Sequence, residues 1–344
     1  MVLLELARKL QARGHEVIAL GPSAGEGWLT EGLRSIGVTR IPIGFGGALG
    51  LGSVPDITSV IREHRLDVLH SHEYTMAVSG AFAARVARCR HLITLHGGMY
   101  HATRFRRKLA RRWAVALSAH RVAVSGAFRK RLAASLSISP TSLDMIPNGV
   151  TPSKGDRGST RRALGIEDDD VLILAVGSLY PVKGHEFLIE AMSYMSGADK
   201  RAVAVIAGQG QEEDRLRDLI ERRGVADSVR LLGFRSDIPD LLAASDVFVM
   251  PSRSEGMPMA MIEAMLAEKA IVASDGGGIP EMIAGPPVGV LVEPENAEAL
   301  AKALTGMVTD PEKRARMGRA VRARAETQFS SDTMVDRYLD LYRG

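Results

Sequence analysis

The sequence predicts an α/β chain of two successive doubly wound domains. Short apolar runs bounded by Gly, Pro or polar residues recur along the chain, and amphipathic stretches of helical period separate them. The runs are apolar throughout rather than alternating, which is the pattern of parallel strands covered on both faces. The pattern also restarts after the stretch 152–158 (PSKGDRG), in a chain of 344 residues that is long enough for two ordinary domains.

In order, residues 2–13 (VLLELARKLQAR) read as a helix with Gly14 near its end, and residues 17–20 as the next strand. A Gly-rich loop covers 44–52. Helix 54–64 then leads to strand 67–70, helix 76–87 to strand 92–95, helix 104–117 to strand 121–124, and helix 127–135 to strand 144–146. A doubly wound domain has a strand before its first helix, usually central and paired on both sides. This sequence opens on the helix. The expectation is a first domain lacking that strand, with two neighbouring strands unpaired and an apolar slot between them. The stretch 152–158 is the expected linker. Beyond it, strands fall at 171–176, 202–207, 229–232, 246–250, 271–273 and 290–292, followed by three C-terminal helices, the last at 332–342.

Hydrophobic content of 46% with 24% charged residues is that of a globular protein. No run approaches the roughly 20 apolar residues of a membrane span. The first helix carries Glu5, Arg8 and Lys9, unlike a secretory signal. A single cysteine, Cys89, excludes an intrachain disulfide and suits a reducing compartment, so the expected location is the cytoplasm. The net charge of +4 conceals an asymmetry: residues 1–150 hold 20 Lys and Arg against 9 Asp and Glu (+11), the rest 24 against 31 (−7). A basic half suggests an anionic partner. Nucleic acid is not expected, because zinc-finger spacing, a basic zipper and aromatic RNA motifs are absent and aromatics make up only 5%.

The most informative stretch is 252–263, SRSEGMPMAMIE. A short apolar strand closed by Pro251 leads into a polar turn, Glu255-Gly256. Pro258 then stands at the favoured first position of a helix. Strand, Gly-containing turn and helix N-terminus together offer backbone N–H groups and a positive dipole end to a phosphate. Glu255 and Glu263 flank that anion site, an arrangement suited to a ligand with both phosphate and hydroxyls, such as a nucleotide sugar. The same stretch also fits an ordinary αβ unit with a solvated glutamate.

Further motifs flank it in order: IPNGV (146–150), VGSLYPVKG (176–184), IAGQGQ (206–211), LLGFRSDIPDLLAASD (231–246), SDGGGIPEMI (274–283) and GVLVEP (289–294). Together with the Glu255-x7-Glu263 spacing, this series resembles the donor-site signature of retaining glycosyltransferases of family 4 (glycosyl transferases group 1). The resemblance covers essentially the whole chain. It implies the GT-B fold, two Rossmann-like domains facing across a cleft, with the last helix crossing back to the first domain. The division implied is 1–151 plus about 326–344 for an acceptor-side domain, and 152–325 for a nucleotide-sugar-binding domain.

The resemblance also implies roles. Glu263 would accept hydrogen bonds from ribose hydroxyls, and Glu255 from hydroxyls of the transferred sugar near its anomeric carbon. The amides of Gly256, Met257 and Met259 would meet sugar or phosphate. Lys183 would neutralise the leaving diphosphate, making a metal unnecessary, and no other cofactor is implied. Ser178 stands where the family usually has arginine, so Arg253 or Arg235 could supply the second charge. Glu268 and Ala270 stand where Gly and Pro are common. The loop 233–236, at a strand end, would border the base.

In the first half, His96 ends a strand in ITLHGG, and the matching family histidine lies near the transferred sugar. His70 and His72 alternate on one strand face and could mimic a metal pair, but a third ligand is not evident. Asp168, Asp169 and Asp170 precede a strand and read as a solvated turn. Arg104, Arg106, Arg107, Lys108, Arg111 and Arg112 crowd one helix with Phe105, Leu109 and Trp113. They form either a solvated basic face or a face for an anionic bilayer and a glycan or lipid-linked acceptor. The expected activity is transfer of a hexose-type sugar from a nucleoside diphosphate sugar, with retention, at the inner face of the membrane. Domain closure would bring His96 over the donor. Two alternatives remain open, a nucleotide-sugar epimerase on the same architecture and a truncated non-catalytic nucleotide-sugar-binding protein.

Overall fold

The structure, a computed structural model, describes residues 2–22, 27–44, 51–96, 105–195, 202–283 and 288–343; for Thr75, residues 105–108 and Arg111 it describes the backbone alone. Arg104 and the Gly-rich loop from 45 to 50 lie outside the described residues. The chain forms two compact units, Met1–Gly149 with Ser331–Gly344, and Val150–Ser330.

The first unit alternates helix and strand: α1 (Val2–Ala12), β1 (Ile18–Pro22), α2 (Trp28–Ser35), β2 (Thr39–Ile43), α3 (Val54–Glu63), β3 (Val68–His72), α4 (Glu73–Ala87), β4 (Arg90–Leu95), α5 (Phe105–Leu117), β5 (His120–Ala123), α6 (Gly126–Leu136) and β6 (Asp144–Met145). The strands form two parallel sheets, β1-β2 and β3-β4-β5-β6. Two elements, α2 and β2, were not expected from sequence. β2 reads TRIPI, and Pro42 cannot donate to a ladder, which confines it to an edge strand. α1 packs Ala7 with Leu33 and Val38 on one side of β1, while Ile57, Val60 and Ile61 of α3 join Leu69 of β3 on the other.

In the second unit the elements are α7 (Arg157–Leu164), β7 (Val171–Val176), α8 (His185–Met195), β8 (Ala202–Ala207), α9 (Glu213–Arg223), β9 (Val229–Gly233), α10 (Ile238–Ala244), β10 (Val247–Met250), α11 (Met259–Leu266), β11 (Ala270–Ser274), α12 (Ile279–Ile283), β12 (Val290–Val292), α13 (Ala297–Val308) and α14 (Pro311–Gln328). Its sheet is parallel throughout, in the order β12-β11-β10-β7-β8-β9. β7 is central and buried along nearly its whole length. The expected linker is shorter than 152–158, because Asp156 caps α7 by accepting from Ser159 N–H at 3.1 Å, so Arg157 and Gly158 are already helical. The last helix, α15 (Ser331–Arg343), belongs to the first unit, where Met334, Val335, Tyr338 and Leu339 pack against Leu6 and Leu10 of α1.

Beneath the second sheet lies a charge that sequence reading passed over. Arg161, 4% exposed, donates to Asp246 Oδ2 at 3.1 Å and to the carbonyls of Asp170 at 2.8 Å and Ala244 at 3.1 Å. Asp246 Oδ2 also accepts from Leu172 N–H at 2.9 Å, so the pair ties α7 to the entrances of β7 and β10. The three consecutive aspartates form the turn before β7, where Asp170 accepts from Glu167 N–H at 2.8 Å. Arg157 donates to Asp246 Oδ1 at 2.9 Å, so the carboxylate keeps one cation when Arg161 is removed, while the carbonyls of Asp170 and Ala244 lose the bonds from Arg161. Arg161→Ala is therefore expected to destabilise the second unit by about 2–3 kcal/mol, read by urea unfolding. A loss under about 1 kcal/mol would show the pair to be ornamental.

Candidate active site

All strands of a parallel sheet end on the same side, so the loops that follow them meet there. In the second unit the loops after β7, β10 and β11 interlock. After β7 the chain passes Ser178, makes a 3-10 turn at Pro181–Lys183 and reaches Gly184, whose φ of 61° suits glycine. A Cβ on Gly184 would stand 2.2 Å from the Pro251 carbonyl oxygen, and Arg253 N–H donates to Val182 O at 2.9 Å. This contact brings Lys183 to the loop after β10, where Nζ donates to Glu255 Oε1 at 2.7 Å. From the other side, Gly278 N–H donates to Glu255 O at 2.9 Å, and a Cβ on Gly277 (φ 67°) would lie 2.1 Å from that oxygen. Glu255 is thus fixed through its backbone by one loop and through its carboxylate by another. Its side chain is only 11% exposed.

α11 starts immediately afterwards. Pro258 occupies the N-cap with an extended conformation, not the first helical position expected from sequence, so Met259 is the first helical residue. The first-turn amides from Met259 onward have no intrahelical acceptor by position and sit at the positive end of the helix. Gly256 and Met259 are half-buried there and Met257 is buried. Glu263 lies farther along α11, half-buried, where it borders a cavity of about 30 Å³ with Thr151, Pro152 and Ile238.

Ser178 is exposed on the loop after β7, and His185 is buried beneath that loop. Burial pushes the His185 imidazole down to about 4, so it is neutral near pH 7. Both arginines that could replace the missing charge at 178 are already engaged. Arg235 clasps Asp237 with two hydrogen bonds, one at 2.7 Å through Nε. Arg253 meets Glu186 at 3.0 Å and Glu295 at 3.1 Å, and its guanidinium lies over the Phe187 ring, 4.9 Å from the centroid.

In the first unit, His96 follows the end of β4 and is half-buried. Its Nε2 is 2.9 Å from His72 Nδ1, with the two rings stacked 5.2 Å apart. His96 also shares a side-chain hydrogen bond with Asn148 of the IPNGV motif, and its backbone N–H bonds to Glu73. Glu73 was not singled out by sequence. It holds φ 65° at the start of α4, an unfavourable conformation for a residue with a Cβ, and burial raises its carboxyl pKa. His70 is saturated, with Tyr342 Oη at 2.7 Å on Nδ1 and Thr94 Oγ1 at 2.8 Å on Nε2. Among the described residues there is no group of three or more His, Cys, Asp or Glu placed to hold a metal ion. On α5 the side chains of Arg107, Lys108 and Arg111 are not described, while Leu109 and Trp113, one turn apart, are 46% and 55% exposed.

The family profile described as Glycosyl transferases group 1 matches residues 156–324, and that described as Glycosyltransferase Family 4 matches residues 1–154. The chain belongs to the group 1, family 4 glycosyltransferases. Among relatives of this glycosyltransferase, an Escherichia coli UDP-Gal:alpha-D-GlcNAc-diphosphoundecaprenol alpha-1,3-galactosyltransferase is 27% identical over 84% of this chain and 78% of its own. A Corynebacterium glutamicum GDP-mannose-dependent monoacylated alpha-(1-6)-phosphatidylinositol monomannoside mannosyltransferase is 33% identical over 57% of this chain and 55% of its own. The chain therefore spans about half the length of that second relative. In structure, a glycosyltransferase from Rickettsia africae superposes with a TM-score of 0.85 at 22% identity, covering 99% of this chain and 93% of that one. Anabaena HepE in complex with UDP-glucose gives 0.84 at 24% identity, covering 99% and 94%. The neighbours establish the fold as GT-B.

Burial dominates the protonation of the glycosyltransferase's inner histidines. It pushes His70 down to about 3, His91 and His96 down to about 4, and His72 well below its usual range. Unfolded, each titrates near 6.5 and binds a proton that the folded form refuses. Stability is then full above about pH 7 and falls as pH drops from about 6.5 towards 4, at up to ~1.4 kcal/mol per pH unit for each histidine. The expected outcome is a progressive fall in Tm across that window in calorimetry. It should be shallower in His91→Gln, because His91 lies between Ser71 Oγ at 2.9 Å and Ser118 Oγ at 2.8 Å, where an amide can replace it. Equal slopes in the two proteins would refute the assignment.

Proposed function

We propose that the protein transfers a hexose-type sugar, with retention at the anomeric carbon, from a nucleoside diphosphate sugar to a glycan or lipid-linked acceptor in cell-surface polysaccharide or glycolipid synthesis. The observation that carries this reading is the Lys183–Glu255 pair, held by three interlocked loops beside the N-terminus of α11. A diphosphate entering there competes for the ammonium and meets the first-turn amides, both of which stabilise the charge that grows on the leaving group. Glu255, released from Lys183, can then accept hydroxyl hydrogen bonds from the sugar. Lysine and amides take the role that a divalent ion has elsewhere, so the reaction proceeds without a metal. In the same-face route the bond to the phosphate oxygen breaks as the acceptor oxygen bonds to the anomeric carbon, and the departing phosphate takes the acceptor's proton. His96, neutral near pH 7, is assigned to hydrogen-bond the transferred sugar.

The named relatives use UDP-Gal and GDP-mannose, so the nucleotide is the first unknown to measure. With EDTA present throughout, titration calorimetry with UDP, GDP and their sugars is expected to show saturable binding of one nucleotide family. Glu263→Ala should weaken that binding tenfold or more through loss of the ribose contact, and Lys183→Ala should lower kcat by roughly 10²–10³. Absence of binding by the folded protein, or of turnover in EDTA, would overturn the reading.

The acceptor is proposed to lie at an anionic membrane surface, supported by the charge of the first half and the exposed Leu109 and Trp113 on basic α5. No described helix is long and apolar enough to cross a membrane. Sedimentation with vesicles rich in anionic lipid should capture the protein at low salt, and Trp113→Ser should reduce capture several-fold. Equal capture by neutral vesicles would contradict the electrostatic part of the proposal.

A further inference from the structure

The donor proposed above leaves its base unnamed, and the loop after β9 is built to choose one. Glu263, assigned there to the ribose, borders the cavity of about 30 Å³ together with Ile238 and Pro239, the first two residues of α10. Residues 234–237 join β9 to that helix. A base attached to a ribose at Glu263 therefore reaches this loop. The sheet order agrees. β9 stands two strands from β7, whose loop holds Lys183, so the two loops start roughly 10 Å apart. A nucleoside diphosphate laid across the strand ends bridges such a distance.

The loop is anchored where it starts. Gly208 N–H, after β8, donates to Gly233 O at 2.8 Å, and Gly177 N–H, after β7, donates to Ala207 O at 3.0 Å. Main-chain bonds thus tie the ends of β7, β8 and β9 side by side. From this footing Phe234 projects, 61% exposed, and offers a flat apolar face on which a base can stack. Beside it Arg235 and Asp237 close on one another: Nε donates to Oδ1 at 2.7 Å and Nη2 donates to Oδ2. That clasp uses the guanidinium fork and both carboxylate oxygens. Asp240, one turn along α10, accepts from Asp156 N–H at 2.8 Å and is so turned towards the start of α7.

The clasp decides what the loop can read. Guanine is recognised through N1–H and its N2 amino group, which need a carboxylate, or through O6 and N7, which suit an arginine fork. Here the carboxylate and the fork already satisfy each other. Guanine held against the loop would leave its donors unpaired, which costs about tenfold or more in affinity. Adenine needs an Asn or Gln amide for N6 and the ring nitrogen beside it, and residues 233–237 hold neither. Uracil has no amino group, only one N–H between two carbonyl oxygens, which main-chain groups of a loop can match. We infer that the base of the sugar donor is uracil, stacked on Phe234, and that the Arg235–Asp237 clasp sets this choice by withholding the carboxylate that guanine needs. This choice rests on the nucleotide-sugar reading above.

The test is titration calorimetry of the full chain with UDP, GDP and ADP, on wild type, Arg235→Ala and the double variant Arg235→Ala/Asp237→Ala. Wild type is expected to hold UDP about tenfold or more tightly than GDP or ADP. Removing Arg235 releases Asp237 to N1–H and N2 of guanine, so this variant should bind GDP about tenfold better than wild type does. A gain of affinity is a readout that damage to the fold does not give. The gain should vanish in the double variant, and Phe234→Ala should weaken UDP several-fold. Tighter binding of GDP or ADP than of UDP by wild type overturns the inference. So does a ratio of UDP to GDP affinity that Arg235→Ala leaves unmoved. Either result leaves the donor site standing, whereas binding of no nucleotide by the folded protein overturns the donor site and the base assignment together.

Discussion

A parallel strand has to satisfy two edges and two faces at once, and most of this molecule follows from how far each unit meets that demand. In the second unit β7 has β8 and β10 on its edges and helices on its faces, so its end is fixed and the loop that follows starts from a rigid point. The same holds for β10 and β11. Their loops can then pack main chain against main chain, which requires glycine at 184 and 277 because any Cβ would collide with a carbonyl. The 2.7 Å contact of Lys183 with Glu255 is a consequence of that packing. A lysine on an unsupported loop would lose side-chain entropy to make the same contact and gain little from it.

The first unit meets the demand on one half only. β4, with β3 and β5 on its edges, is buried and delivers His96 to its end among His72, Asn148 and Glu73. β1 has one edge paired and half its surface covered. The imbalance coincides with a cluster of buried or half-buried titratable groups, since His70, His72, His91 and His96 all lie on β3 and β4 or at their ends. Neutral imidazoles donate and accept at once, so they can be buried where an ammonium or a carboxylate would need a counter-charge.

Legibility followed the physics of each element. The parallel strands β7, β8 and β12, the first two buried almost throughout, were placed to the residue because continuous apolar runs leave little choice. β2 escaped because TRIPI is an edge strand with a proline, and α2 because it is only eight residues long and carries Gly32 in its interior. The glycine-bearing motifs were legible as loops, but not which main chain each would touch. Arg161 and Glu73 were invisible for a different reason: their roles depend on partners far off in the sequence or on a backbone angle, and neither leaves a local pattern. Glu268 is a case in between. It stands where glycine is common in related sequences, and its φ of 62° shows why glycine suits the site.

On the function proposed above, Lys183 is the cation that a diphosphate would meet, and its contact with Glu255 is the one that binding would have to open. Sequence alone allowed Arg235 or Arg253 to make up for Ser178, but the first is committed to Asp237 and the second to Glu186 and Glu295, with its plane against Phe187. Freeing either would strand a partly buried carboxylate, at a cost comparable to what a second phosphate contact would contribute. On that reading a diphosphate would depend on Lys183 and on the dipoles and amides of α11, with Ser178 able to add only a neutral hydrogen bond. Point charge and helix dipole both weaken as salt screens them. An arginine fork, with its bidentate geometry, would be less sensitive. Donor binding in the proposed site would thus be tied to ionic strength more closely than in a site with two clamping cations. On the same reading, Glu255, whose backbone the loop after β11 holds, would orient the bound sugar.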